Sequence, residues 1–360
     1  MKFKIPLPLW TIIFPIVAWV LYALKDSSQE VWFQLFLAAV LIGSVLAAVH
    51  HAEVVAHRVG EPFGTLVLAV AITIIEVALI VSLMIAGGPD AAILARDTVF
   101  AAVMIILNAM VGLCLLVGGA KFGEQTFGLQ GVSASLTTLT AIAILTLVLP
   151  NYTVSSPGPV YTDSQLIFVG IITLILYLSF VMVQTIRHRD YFLPTDADSD
   201  EDLHADPPSV KVTLLSAGLL LICLGAVVLL GKALAPAIEQ AVFAMGAPQS
   251  LVGIIIAMVV LMPEGLAALR AARNNRLQTS LNLSLGSALA SIGLTIPAVA
   301  IVSLYYGFDL TLGIDIKSTV LFILSLMVII LSLSTGRTTV LQGIVLLVLF
   351  FVYLFTTIIP

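Results

Sequence analysis

Residues 63–86 read FGTLVLAVAITIIEVALIVSLMIA, 24 positions with a single charged side chain, Glu76, near the middle. Coiled as an α-helix, such a run is about 36 Å long, enough to cross the roughly 30 Å hydrocarbon core of a bilayer. A strand of a membrane barrel alternates apolar and polar side chains, and this stretch does not. It is therefore read as a transmembrane helix. Runs of the same kind recur near 7–24, 31–50, 97–118, 132–149, 164–186, 210–231, 248–270, 279–304, 317–334 and 339–358. The expected fold is an all-α polytopic membrane protein of about eleven transmembrane helices.

The composition of the whole chain agrees. Of 360 residues, 60% are apolar and 10% charged, against about a quarter charged in a soluble domain. Fifteen basic and twenty acidic side chains cannot form a polar shell around a chain this long. Soluble enzymes, nucleic-acid binders and secreted disulfide scaffolds are excluded. Cys114 and Cys223 both lie in apolar runs, which does not describe a disulfide framework. Lys2 and Lys4 precede the first apolar run, but no A-x-A cleavage site follows, so a retained helix is expected.

Lys and Arg in short loops set orientation. With the N-terminus in the cytoplasm, Lys2, Lys4, Arg58, Lys121, Arg187, Arg189, Lys211, Arg270, Arg273, Arg276 and Arg337 fall inside. Only Lys25, Arg96, Lys232 and Lys317 fall outside. That bias predicts a cytoplasmic N-terminus and a C-terminus on the other, periplasmic or external, side. The one sizeable hydrophilic segment runs from His188 to Pro208. It holds Asp190, Asp196, Asp198, Asp200, Glu201, Asp202 and Asp206, seven of the twenty carboxylates. It lacks the glycine and terminal glutamate of an EF-hand loop, and is read as a solvated cytoplasmic linker, with a calcium-attracting or regulatory acidic patch as the alternative.

This loop divides an internal repeat. Gly60-Glu61-Pro62 opens the helix carrying Glu76, and Gly246-Ala247-Pro248 opens one carrying Glu264. The glutamate follows its glycine by 16 residues in the first case and 18 in the second. The expected organisation is a leading helix (1–30), a first five-helix repeat (31–187), the acidic loop (188–209) and a second five-helix repeat (210–360). An odd number of helices per repeat turns the copies into opposite orientations, a plan that puts the substrate site at their interface near the midplane.

A carboxylate at the bilayer centre costs about 2.5–3.5 kcal/mol even on insertion scales, and intramembrane ionisable groups mark function by default. A proton or a cation each neutralises such a group, so the two compete for the same oxygens. Coupled to alternating exposure, that competition is ion/proton antiport. Two carboxylates do not fill the shell of a hard cation, which for Ca²⁺ takes six to eight oxygens. Thr73, one turn before Glu76, and Asn108, Ser287, Ser291 and Thr295 are candidate supporting ligands. Pro263 donates no backbone hydrogen bond, so a kink or break there is expected to free carbonyl oxygens beside Glu264. Glu53, Arg58 and Glu61 are candidates for gating or proton access. His50, Glu53 and His57 share one helix face at i, i+3 and i+7, but H-E-x-x-H is absent. An intramembrane metalloenzyme is the remote alternative; a passive cation channel or sodium-coupled exchanger is the nearer one. No catalytic triad, phosphate-cradling loop or nucleotide motif occurs, so no enzyme chemistry and no cofactor are expected. The partners are Ca²⁺, Na⁺ or K⁺, protons and the lipid bilayer, with a homo-oligomer left open and no nucleic acid.

Residues 51–66, HAEVVAHRVGEPFGTL, with Ile75-Glu76-Val77, resemble the first alpha repeat of the cation/proton exchanger family of the calcium/cation antiporter superfamily. Pro263-Glu264-Gly265-Leu266, Asn274-Asn275-Arg276-Leu277-Gln278 and Leu285-Gly286-Ser287 resemble the second, and Ser334-Thr335-Gly336-Arg337-Thr338 extends the likeness. The resemblance implies paired exchange carboxylates at Glu76 and Glu264, in a site built from the third, fourth, eighth and ninth helices. Plant and fungal relatives place Asn three positions before each glutamate, where this chain has Thr73 and Leu261, and a Gln where it has Ala290. Fewer side-chain oxygens leave room for Na⁺ or K⁺ beside Ca²⁺.

Overall fold

The computed structural model describes residues 7–24, 30–60, 63–87, 92–193, 207–307 and 309–359. Its eleven helices are α1 (Trp10–Ala23), α2 (Val31–Val59) and α3 (Phe63–Gly87), then α4, which runs from Ala92–Met104 through a π-helical turn, Ile105–Met110, into Val111–Phe122. Next come α5 (Leu129–Ala143, prolonged by Ile144–Val148 and Leu149–Tyr152) and α6 (Asp163–Met182, prolonged by Val183–Arg187). The second half holds α7 (Val210–Ala244), α8 (Ser250–Arg273), α9 (Leu277–Tyr306), α10 (Ile316–Leu333) and α11 (Val340–Ile358). Ten of these are long and apolar enough to cross a membrane; α1, with 14 residues, is shorter. Outward faces carry large apolar side chains such as Phe168, Leu214, Leu221, Val320, Phe351 and Phe355, all largely exposed. Water does not tolerate apolar surface on that scale, whereas lipid solvates it.

Two helices outrun their apolar segments. α2 continues nine residues past His50, to Val59, where Gly60 at φ 77° ends it. α7 continues past Gly231 to Ala244, through Lys232, Pro236 and Glu239. Hydropathy marks where lipid stops, not where the backbone ladder stops, and these charged turns are free to continue into water. At 35 residues α7 is about 52 Å long, well over the hydrocarbon thickness. α2 and α7 pack along each other, with α1 against both.

The central helix is α9, which touches α3, α4, α5, α6 and α8. Its partners come in matching couples: α3 packs on α9 as α4 packs on α8, and α4 packs on α11 as α9 packs on α6. The loops match as well. Gln125–Thr126 pairs antiparallel with Arg337–Thr338 at one end of α5 and α10, and Val160 bridges Thr311 at the other. α6 and α11 both open with a capping box, Thr162 with Gln165 and Thr339 with Gln342. Where α4 meets α11, Gly112 and Gly343 face each other so closely that a methyl group on either would strike the other's backbone. Small residues of this kind let membrane helices approach.

Candidate functional site

Glu76 lies near the middle of α3 and Glu264 near the middle of α8, with only 3% and 5% of their surfaces exposed. The partners come from α9, where Ser291 Oγ donates to Glu76 Oε1 at 2.5 Å and Ser287 Oγ donates to Glu264 Oε1 at 3.3 Å. Four residues on one helix are one turn, about 6 Å of rise, so α9 holds both carboxylates on a single face. They are near enough for the charge of Glu76 to act on Glu264. Glu264 Oε2 and the hydroxyl of Thr295, one turn beyond Ser291, are buried without a hydrogen-bond partner among the described residues.

The other expected residues fall less simply. Thr73 is buried a turn before Glu76, but its hydroxyl donates to Ala69 O at 2.9 Å on its own helix. Asn108 is fully buried in the π turn of α4 and meets α10: its Nδ2 donates to Ser325 Oγ at 3.0 Å and to Met104 O at 3.2 Å. Its Oδ1 has no partner among the described residues. π turns of this kind recur at functional sites. The turn also abuts α8, since a Cβ on Gly265 would sit 3.6 Å from Met110 Cε. Where Pro263 leads to the expectation of a kink or break, α8 runs unbroken from Ser250 to Arg273.

Glu53, Arg58 and His57 are exposed at the far end of α2, away from both glutamates. Arg58 Nη1 donates to Pro208 O at 3.3 Å, tying α2 to the start of α7, and Glu53 has His50 and Arg270 as its charged neighbours. Glu61 and the acidic residues from Asp196 to Asp206 lie outside the described residues. Among the described residues no three His, Cys, Asp or Glu side chains come together as a metal-holding group, and that includes His50, Glu53 and His57. Two features escaped the sequence reading. Ser325 had a signal, as a lone hydroxyl in the middle of the apolar α10. Arg96, in the sequence only a loop charge, pairs with Asp97 and its Nη1 donates to Gly313 O, 217 positions along the chain, at 3.1 Å.

Comparison with known proteins gives a consistent result. The sodium/calcium exchanger protein family matches residues 30–186 and 215–359. The chain is 47% identical over 361 residues to y4hA of Sinorhizobium fredii, spanning 98% of this chain and 97% of that one. It is 37% identical over 352 residues to the sodium-potassium/proton antiporter ChaA of Escherichia coli, spanning 96% and 95%. Among solved structures it resembles the H⁺/Ca²⁺ exchanger CAX, with a TM-score of 0.72 and 14% identity over 96% of this chain and 87% of that one; at that identity the likeness concerns the fold.

Proposed function

The chain belongs to the sodium/calcium exchanger protein family, and from that premise we propose that this membrane cation antiporter exchanges cytoplasmic Na⁺, K⁺ or Ca²⁺ for external protons at Glu76 and Glu264. The observation that carries the reading is the pair of buried carboxylates, each tied to the same helix one turn apart. A proton on either glutamate removes its charge and frees it from the cation. A dehydrated cation between them supplies the opposite charge that burial otherwise denies. Ser287 and Ser291 contribute neutral oxygens, Thr73 and Asn108 are the further candidate ligands, and Pro263 leaves one carbonyl of α8 without its usual donor. The similarity to a sodium-potassium/proton antiporter supports monovalent substrates, and the missing Asn and Gln oxygens at Thr73, Leu261 and Ala290 point the same way.

Alternating exposure follows from reading α2–α6 and α7–α11 as inverted repeats, with α1 outside them. The matched helix couples, the bridges at opposite ends and the equivalent capping boxes support that division, as does a family match in two segments. The charge bias supports an N-terminus and acidic loop in the cytoplasm, where Glu53, Arg58 and Glu61 serve gating or proton access, and the similarity to bacterial transporters supports an inner membrane. The test is proton movement in vesicles loaded with a pH dye. Addition of Na⁺, K⁺ or Ca²⁺ is expected to dissipate an imposed pH gradient. A correctly inserted protein that dissipates none with any of the three sinks the proposal. A channel would pass cation regardless of that gradient, and a sodium-coupled exchanger would move Ca²⁺ on Na⁺ without moving protons.

A further inference from the structure

Where α4, α8 and α10 begin and α11 finishes, a cavity of about 190 Å³ lies at the end of the bundle. It is lined by Asp97, Asp315, Ser250, Tyr353, Arg96 and Lys317, among others. None of these contributes to the glutamate site, and the volume accommodates an ion with several waters.

Its charged groups are unequally committed. Arg96 donates through Nε and Nη2 to one oxygen of Asp97, Oδ1, at 2.8 and 2.7 Å, and through Nη1 to Gly313 O. Asp315 caps α10, accepting the Ser318 N–H at 2.9 Å and the Ser318 hydroxyl at 2.8 Å. Burial opposes its charge, but these bonds and the nearby Lys317 and Arg96 outweigh burial and hold its carboxyl below the usual range. The ammonium of Lys317 is turned onto α11, donating to Thr356 O at 2.5 Å. Tyr353 is only 4% exposed and lines the same cavity as Asp97 and Asp315, yet its hydroxyl makes no hydrogen bond among the described residues. A buried phenol facing two carboxylates, bonded to neither, marks a place for a third group.

We propose that this cavity is a second, low-affinity cation site that takes a hydrated divalent cation between Asp97 and Asp315, with the hydroxyls of Tyr353 and Ser250 as neutral ligands. Arg96 is its built-in competitor, a tethered guanidinium on the same carboxylate. A monovalent ion gains little by displacing one positive charge with another, whereas a divalent ion neutralises both carboxylates. Oxygen-only coordination and a shared carboxylate suit a hard cation such as Ca²⁺, at an affinity on the order of millimolar. Occupancy would release Gly313 from Arg96, loosening the tie between α4 and the approach to α10. The site is read by binding alone and does not rest on the antiport proposal.

The test uses the full chain in detergent with Glu76→Gln and Glu264→Gln, which silence the central pair. Tb³⁺ is the probe, because it takes Ca²⁺ oxygen sites and emits when a nearby phenol transfers energy to it. The readout is the tyrosine-excited emission that Tyr353→Phe removes. It is expected to saturate, to be displaced by millimolar Ca²⁺ more readily than by Na⁺, to weaken about tenfold in affinity in Asp97→Asn, and to strengthen severalfold in Arg96→Gln. Asp315→Asn still caps α10 and gives the same weakening should Asp97→Asn fail to fold. Emission indifferent to Tyr353→Phe, or Tb³⁺ affinity unchanged in both Asp→Asn variants, overturns the site.

Discussion

Glu76 and Glu264 each lie near the middle of a membrane helix, one in each half of the chain, yet the protein holds them differently. Glu76 receives a short bond from Ser291, and the nearby Thr73 hydroxyl is spent on its own helix. Glu264 receives a longer bond from Ser287, keeps Oε2 free of any partner among the described residues, and follows a proline. Both partners come from α9, so there is no second-half helix for one glutamate and first-half helix for the other. The asymmetry lies in the length of the bond that α9 supplies, short at Glu76 and long at Glu264. On the antiport proposal, the more tightly held Glu76 would fix the geometry and Glu264 would adapt its coordination.

The strongest way to break this comparison is to remove each charge in turn. Glu→Gln keeps size and hydrogen bonding, and a neutral amide is cheaper to bury than a carboxylate, so both variants are expected to insert. Glu76→Gln and Glu264→Gln should each reduce coupled exchange to background in the pH-dye assay. Near wild-type exchange by either makes that glutamate structural and ends the paired mechanism. Next in size come the serines. A hydrogen bond to a charged group contributes about 1.5–3 kcal/mol, so Ser291→Ala should raise the apparent cation constant about tenfold or more. The longer Ser287 bond is expected to give only a severalfold rise in Ser287→Ala. Equal effects would erase the proposed asymmetry.

Asn108 sharpens the comparison from outside it, because it binds Ser325 rather than either glutamate. Asn108→Ala and Ser325→Ala, measured singly and together by thermal unfolding, should show a coupling of about 0.5–1.5 kcal/mol. Asn108→Ala is also expected to weaken apparent affinity by less than Ser291→Ala, through loss of the π turn's support beside Gly265. Thr73→Ala should change affinity by no more than about twofold, since its hydroxyl stabilises its own helix only weakly. The smallest effect belongs to the acidic loop: deleting 196–202 is expected to leave the apparent constants for Na⁺, K⁺ and Ca²⁺ unchanged. A shift confined to Ca²⁺ would make that segment regulatory.

The two ends of the bundle differ as well. At one, Arg96 ties the start of α4 to Gly313 through charged groups. At the other, Gln278 near the start of α9 accepts the Gly128 N–H at 2.6 Å, and its amide continues through Asn282 to Phe192 O. These ties occupy matching places, one ionic and one neutral. Salt and competing cations weaken the first and leave the second.

The amino-acid sequence by itself determined that the chain is a helical membrane bundle, roughly where its eleven helices run, and that Glu76 and Glu264 are its exceptional residues. Hydropathy is summed along about twenty residues, and a lone carboxylate in such a run stands out whatever surrounds it. Tertiary structure alone decided the pairings. Nothing in the spacing of Ser287 and Ser291 says that the first serves Glu264 and the second Glu76, nor that Asn108 meets Ser325 and Arg96 reaches Gly313. Those depend on how α9 crosses α3 and α8, and on which rotamers close packing leaves open. The helix ends were likewise beyond hydropathy: α2 and α7 carry on past their apolar runs because the backbone ladder, satisfied within the helix, does not stop where the lipid does.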